Sequence, residues 1–248
     1  MQILYISKKN LRIMSIFFIV FIILLLFGYQ YFKNQIHIDA FKYQGNYFNN
    51  KTIVIDAGHG GIDSGVMHSS GLMEKDVNLH IAKQLKELLD ESGANCIITR
   101  DKDEELSHLS TIGGTRHRKD LNARVNIIDS NNSDLFISIH VNSFPQDEKV
   151  KGPIVFYYTH SEYSKGLAEC IQERLNIEYN KQYKVKQTSL NKARGDSFYL
   201  LKNTRSPGVI VEIGFMSNNE DYSLIKKEKF RYLVAYQIYI ALGEFLNQ

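Results

Sequence analysis

The chain has few cysteines and almost no excess of charge, and both shortages exclude classes of protein. Two cysteines in 248 residues do not suggest a disulfide framework. A net charge of +3, with the basic residues scattered, gives no electrostatic footprint for nucleic-acid binding. The sequence also has no internal repeat and no low-complexity tract. Its 44% of hydrophobic residues are ample for the core of a globular domain.

One long apolar run, IMSIFFIVFIILLLFGYQYF, occupies residues 13–32. About 20 apolar residues suffice to cross the core of a bilayer. Because Lys8, Lys9 and Arg12 precede the run, we expect a cytoplasmic N-terminus at residues 1–12 and a transmembrane anchor at residues 13–32. The rest of the chain would then lie on the extracytoplasmic side of the cell membrane. A cleaved signal peptide is the alternative, but bulky residues at 30–33 disfavour a cleavage site.

The remainder of the chain reads as a linker followed by one α/β domain. Residues 33–50 are polar and aromatic and predict the linker, and residues 51–248 predict the domain. Short apolar segments alternate with segments of helical periodicity, which favours a mostly parallel twisted sheet with helices on both faces. The predicted strands are Thr52–Asp56, Asn95–Arg100, Asp134–His140, Gly152–Tyr158 and Gly208–Ile213. The predicted helices are one that begins near Glu74 and ends at Gly93, then Leu121–Ile128, Glu162–Asn176 and Phe230–Leu246, with a long loop at 101–120.

A glycine-rich stretch, IVIDAGHGGIDSG at Ile53–Gly65, follows directly on the first predicted strand. It lacks both the lysine of a phosphate-binding P-loop and the GxGxxG spacing of dinucleotide-binding loops. The glycines on either side of His59 instead leave room for an imidazole on a tight turn. The stretch therefore presents one histidine at the end of a strand.

Three further polar residues are expected at the same edge of the sheet, where ligands bind in open α/β folds. His140 ends the third predicted strand, Glu212 lies in the apolar run VIVEIGF, and Glu74 opens the first helix. Two histidines and one glutamate are a known ligand set for catalytic zinc, and a second carboxylate can act as a general base. We assign His59, Glu74 and His140 as ligands and Glu212 as the base. Spacing alone leaves the exchange of the two glutamates open.

Each of these residues also has a structural interpretation. Glu74 could be an acidic residue favoured at a helix N-terminus, and Glu212 could pair with Arg124 or Arg205. The basic stretch at residues 116–119 is most simply a solvated surface. Its functional alternative is a contact with an anionic polymer or a partner protein.

The chain resembles the zinc-dependent N-acetylmuramoyl-L-alanine amidases of the type 3 family. The similar stretches are IVIDAGHGG, GLMEKDVNLHIAKQL, TRDKD, RVNIIDSNNSDLFISIHVNS and PGVIVEIGFMSN, which span most of residues 52–248 in the family's order. The resemblance implies a zinc amidase catalytic domain at residues 51–248, with Zn²⁺ held by His59, Glu74 and His140 and with Glu212 as the catalytic residue. One departure is the alanine of DAGHGG, where the family commonly has proline.

Within the family, the basic stretch, the single membrane segment and the lack of wall-binding repeats resemble the CwlD-type amidases of spore formers. This resemblance implies peptidoglycan of the spore cortex as the substrate, a role in sporulation and germination, and muramic δ-lactam formation. It also implies a possible activating lipoprotein partner and a possible location in the forespore intermembrane space. Two alternatives stay open: a non-catalytic peptidoglycan-binding scaffold on the same fold, and a zinc endopeptidase of the stem peptide.

Overall fold

The computed structural model describes residues 10, 14–15, 17–28, 47–184 and 191–247. Residues 17–28 are helical. The rest of the predicted anchor, at 13, 16 and 29–32, lies outside the described residues, as do residues 33–46 of the predicted linker. Among the helices that the structure describes, none combines the length and the apolar character needed to cross a membrane. The anchor and the outward orientation stay predictions from the sequence.

The domain alternates strands and helices. Its strands are β1 (Thr52–Ala57), β2 (Asn95–Ile98), β3 (Leu135–Asn142), β4 (Ile154–Tyr158), β5 (Arg194–Asp196) and β6 (Gly208–Phe215). Its helices are α1 (Glu74–Glu91), α2 (Arg116–Ser130), α3 (Glu162–Tyr183), α4 (Tyr199–Asn203), α5 (Asn219–Ile225) and α6 (Glu228–Leu246). A short 3₁₀ helix, Ser107–Leu109, lies between β2 and α2.

The six strands form one sheet in the order β2-β1-β3-β6-β4-β5. Neighbouring strands are parallel except for β4 and β6, which are antiparallel. One face of the sheet packs Val54, Phe136 and Ile210 against apolar residues of α2 and α4. On the other side, α1 packs on β1, α3 packs on β4 and β6, and α6 lies against α1 and α3. The predicted α/β fold, with a mostly parallel sheet, is confirmed.

Local sequence signals explain where the first helix ends. Gly93 has φ +90° and follows the last turn of α1, as predicted. Its N–H donates to the carbonyl of Asp90, and the N–H of Ala94 donates to the carbonyl of Leu89. This pair of bonds is the Schellman arrangement, which satisfies carbonyls that the helix leaves unpaired.

The second helix begins five residues earlier than the sequence pattern indicates. The side chain of Thr115 accepts a hydrogen bond from the N–H of Arg118, so Thr115 is the N-cap and α2 starts at Arg116. The basic stretch is therefore the first turn of a helix, and the predicted loop at 101–120 is shorter. Apolar periodicity missed this turn because its residues are exposed. The periodicity also missed β5, α4 and α5, which are short.

The folded domain extends further toward the N-terminus than Lys51. Phe48 is fully buried and stacks on Tyr239 of α6, with the ring centroids 5.4 Å apart. Residues at the end of the predicted linker therefore belong to the core.

Candidate metal and catalytic site

The site lies where the carboxyl ends of β1, β3 and β6 meet. In β3 the side chains alternate between the two faces of the sheet. Ser138 and His140 therefore share a face, and in the register of the sheet Asp56 is opposite Ser138 while Glu212 is opposite His140. These four polar residues are therefore neighbours on one face of the sheet, beyond the apolar residues Val54, Phe136 and Ile210. The sequence shows them in three separate runs, and the parallel register brings them together.

His59 is held in an unusual backbone conformation on the loop after β1. Its φ is +61°, in the left-handed region that L-residues rarely adopt. The loop is closed by two hydrogen bonds between the backbones of Gly60 and Asp63, at 2.9 and 3.1 Å. Gly58 permits the close approach of the second histidine, because a Cβ at this position would lie 2.2 Å from Cε1 of His140.

The two histidines and Glu74 converge on one point. The Oε1 atom of Glu74 lies 3.2 Å from Nε2 of His59 and 3.1 Å from Nδ1 of His140. One ligand atom from each of the three residues lies within 4.8 Å of the other two. No other group of three histidine, cysteine or acidic side chains with this geometry occurs in the described part of the chain. The three residues can therefore hold a metal ion, as the sequence predicts.

Glu74 is fixed by backbone donors as well as by the histidines. Its Oε1 accepts a hydrogen bond from the N–H of Val141 at 2.9 Å, and its Oε2 accepts one from the N–H of Val66 at 2.9 Å. Burial alone would raise the pKa of Glu74, but its hydrogen bonds to His140 and His59 hold it well below its usual range. Glu74 is therefore an anion, and it is aimed at both rings.

His59 has a carboxylate on each side of its ring. Nδ1 lies 3.0 Å from Oδ2 of Asp63, while Nε2 faces Glu74. Burial alone would lower the pKa of His59, but its hydrogen bonds and charge interactions with Glu74 and Asp63 raise it to about 9. A cation that binds at this ring must therefore displace a proton at neutral pH.

Glu212 has one buried carboxylate oxygen, Oε2, that makes no hydrogen bond to any described residue. Burial raises the pKa of Glu212 to about 7, with His140 opposing this shift and Glu74 reinforcing it. A buried polar atom without a partner is costly, so this oxygen requires a ligand, a substrate group or water. Glu212 is not one of the three residues that share a ligand point.

The two arginines that could have paired with Glu212 have other partners. Arg124 lies 2.5 Å from Oδ1 of Asp56 and 2.7 Å from Oδ2 of Asp120, and it is buried. Arg205 lies at the surface, 3.4 Å from Asp129. The structural interpretation of Glu212 as the partner of either arginine is therefore wrong.

Arg124, paired with Asp56, holds the loop that carries His59. Arg124 donates hydrogen bonds to the carbonyl oxygens of Ala57 and His59, at 2.8 and 2.7 Å. Asp56 accepts hydrogen bonds from the hydroxyls of Thr99 and Ser138, at 2.8 and 2.6 Å. The sequence interpretation missed Asp56 and Asp63 as residues of the site. The available signals were the charge of Asp56 at the end of an apolar strand and the position of Asp63 four residues after His59.

The alanine of DAGHGG adds one bond to this support. The N–H of Ala57 donates to Oγ1 of Thr99 at 3.3 Å, a bond that a proline could not make. The departure from the family pattern therefore adds a hydrogen bond that the family's usual proline could not make.

A cleft of about 220 Å³ opens beside the cluster. His59, Asp63 and His117 give it polar lining, while Phe198 and Tyr199 contribute apolar lining. His117 thus faces the cleft, whereas Arg116 pairs with Glu105 at 3.0 Å. The cleft can take a substrate that has both polar and apolar groups.

Comparisons with known proteins match most of the chain to one family. Residues 53–244 match the family described as N-acetylmuramoyl-L-alanine amidase. The chain is similar to the germination-specific N-acetylmuramoyl-L-alanine amidase of Bacillus subtilis (strain 168), with 34% identity over 242 residues that cover 97% of each protein.

Two solved structures have similar folds. The CwlD amidase from Clostridioides difficile, in complex with the GerS lipoprotein, gives a TM-score of 0.72 at 36% identity. That match covers 80% of this chain and 99% of the solved one. The amidase AmiC2 of Nostoc punctiforme gives a TM-score of 0.64 at 29% identity, over 80% of this chain and 98% of the solved one.

Proposed function

Because this chain belongs to the N-acetylmuramoyl-L-alanine amidase family, we propose that it is a zinc-dependent amidase of the spore cortex. It is an N-acetylmuramoyl-L-alanine amidase, an enzyme that hydrolyses the amide between N-acetylmuramic acid and L-alanine in peptidoglycan. The observation that carries the proposal of a metal is the convergence of His59, Glu74 and His140, with Glu212 nearby. Among the described residues, Oε2 of Glu212 has no hydrogen-bond partner.

The donor set of the cluster fits zinc. Two imidazoles and one carboxylate are a ligand set of catalytic zinc sites that keep a further position open. When bound, zinc supplies a Lewis acid and lowers the pKa of bound water to about 7. Glu74 is the ligand rather than the base in this proposal, because its Oε1 contacts both histidines and its oxygens are already held by backbone donors.

Glu212 moves the proton in the proposed reaction. Its Oε2 accepts the proton that the attacking water loses, and then donates that proton to the nitrogen of the departing L-alanine. A carboxyl group whose pKa is raised by burial is suited to both transfers near neutral pH. Arg124 contributes by holding the carbonyls of Ala57 and His59 in place.

Replacing His140 by alanine should remove the metal. We expect elemental analysis to find about one zinc per wild-type chain and almost none in the variant, because a three-ligand site loses one ligand. The matched control is His160→Ala, since His160 is exposed and lies outside the cluster. A zinc content that is equal in wild type and His140→Ala would contradict the assignment.

A lipoprotein partner is part of the proposal. The similar amidase from Clostridioides difficile was solved in complex with the GerS lipoprotein, and a related partner could complete the site of this chain. If the wild-type protein is purified without zinc, zinc should be added with and without the candidate lipoprotein of the host. A wild-type chain that binds no zinc under either condition would contradict the zinc proposal.

The cortex role predicts a change in spore peptidoglycan. Support comes from the 34% identity to a germination-specific amidase. Spores of a host strain that lacks this protein should keep stem peptides on muramic acid residues from which the wild type removes them. Mass analysis of cortex fragments measures this difference, and complementation with the wild-type protein is the control. An unchanged cortex, together with a changed vegetative wall, would show that the substrate is the peptidoglycan of the vegetative wall and would contradict the cortex role.

A further inference from the structure

The two ring nitrogens of His59 have different neighbours. Nε2 lies 3.2 Å from Oε1 of Glu74 and therefore faces the point that the three ligands share. Nδ1 lies 3.0 Å from Oδ2 of Asp63. A neutral imidazole has one protonated nitrogen and one with a free lone pair, and only the second can bind a metal. The protonation state of Nδ1 thus decides whether Nε2 can be a ligand.

The carboxylate of Asp63 is itself held in place. Its Oδ1 accepts a hydrogen bond from the N–H of Gly65 at 3.1 Å, which leaves Oδ2 for His59. The backbone of Asp63 is also bonded in both directions to Gly60, so the loop brings the two side chains together. An ionised carboxylate can only accept a hydrogen bond. Opposite Asp63, Nδ1 of His59 must therefore be the donor.

We infer that Asp63 is a positioning residue for the metal centre: it keeps the proton on Nδ1 of His59 and so leaves the lone pair of Nε2 for the metal. The inference rests on the zinc site proposed above. Carboxylate partners of this kind fix the tautomer and the orientation of a histidine ligand, and their loss typically costs 10–100-fold in metal affinity.

The substitution Asp63→Asn tests this inference with little change in shape. If the amide oxygen keeps the bond from Gly65, the amide nitrogen faces Nδ1 of His59 and donates to it. That arrangement moves the ring proton to Nε2 and blocks the ligand position. If the amide flips, its oxygen accepts from Nδ1 and keeps the tautomer, but the N–H of Gly65 then faces another donor, so we expect the first arrangement. Asp63→Asn should therefore weaken zinc binding, by about 10–100-fold in dissociation constant.

A matched control is available on the same loop. Asp103 accepts a hydrogen bond from the N–H of Gly61 at 2.8 Å and pairs with Lys75 at 2.7 Å. It therefore anchors the glycine loop as Asp63 does, but it does not contact His59. Asp103→Asn should keep the zinc affinity of the wild type, which separates loop anchoring from the effect on the histidine.

Two measurements on the full chain decide the matter. Competition with a chelator of known affinity gives the dissociation constant for zinc in wild type, Asp63→Asn and Asp103→Asn. Nitrogen-15 NMR of the histidine rings in the zinc-loaded protein should show the proton of His59 on Nδ1 in wild type. Equal zinc affinity in wild type and Asp63→Asn, equal losses in both variants, or a wild-type proton on Nε2 would each overturn the inference. A wild type that binds no zinc, either alone or with the candidate lipoprotein, overturns the proposed function and the inference with it.

Discussion

Replacing Glu212 by glutamine should lower the rate of amide hydrolysis by about 10²–10⁴-fold, the contribution that a positioned acid or base typically makes. Glutamine keeps the size of the side chain but cannot accept the proton of the attacking water. The zinc content should stay at the wild-type level, because Glu212 is not among the three residues that share a ligand point. The assay is the release of stem peptides with a free L-alanine amine, measured by mass.

The matching substitution is Glu74→Gln, which should differ from Glu212→Gln in its zinc content. Its Oε1 contacts both histidines, so the loss of its charge should remove the zinc as well as the activity. Zinc that is lost from Glu212→Gln and kept in Glu74→Gln would exchange the two roles, the alternative that residue spacing leaves open. Full turnover in a zinc-loaded Glu212→Gln preparation would contradict the proposed mechanism.

Replacing Arg124 by methionine should destabilise the domain by about 3–5 kcal/mol, the usual cost of removing one partner of a buried ion pair. Asp56 is fully buried and would lose the guanidinium at 2.5 Å. The carbonyl oxygens of Ala57 and His59 would each lose a donor as well. Urea unfolding at neutral pH measures the change. The expected loss is large beside a typical stability of about 5–15 kcal/mol.

Arg205→Met is the control for this substitution. Arg205 is also an arginine paired with an aspartate, but its side chain is 75% exposed. Surface pairs contribute about 0–1 kcal/mol, so this variant should unfold at nearly the wild-type urea concentration. Equal stability of the Arg124 variant and the control would show that the buried pair does not stabilise the fold.

Acid should reduce the difference in free energy of unfolding between wild type and Arg124→Met. Burial alone would raise the pKa of Asp56, but Arg124 and the hydroxyl of Ser138 lower it from 3.8 to about 2. A carboxyl group whose pKa is lower in the folded state stabilises the fold above its ordinary pKa, here by about 2 kcal/mol. This contribution is lost as the pH falls from about 4 through about 2. A difference that stays constant over this range would contradict the assignment to Asp56.

Much of the fold could be predicted because its signals are local. The apolar strands, the glycine at the end of α1 and the apolar spacing of the long helices are each read within a few residues. The start of α2 could not be found in this way, since its first turn is exposed and basic and depends on the side-chain cap of Thr115. The short elements β5, α4 and α5 carry too few residues to show a period.

Local sequence patterns alone place four residues of the site: His59 follows a strand, His140 and Glu212 lie in apolar strands, and Glu74 begins a helix. These places follow from local patterns, and with the family motifs they predict the ligand set and the base. The sequence could not determine which side chains touch, because contact depends on the register between distant strands.

The contacts that support the site arise from the folding of distant segments onto one another. Asp56 and Arg124 are 68 residues apart in the chain, and Glu74 and His140 are 66 apart. The parallel register and the crossing of α2 over the sheet bring the first pair together, while the position of α1 at the edge of the sheet brings the second. The fold also buries Oε2 of Glu212 without a hydrogen-bond partner among the described residues, and it sets Asp63 against Nδ1 of His59. A buried charge is stabilised only by the groups that the fold places around it, and for this reason the electrostatics of the site belong to the folded chain.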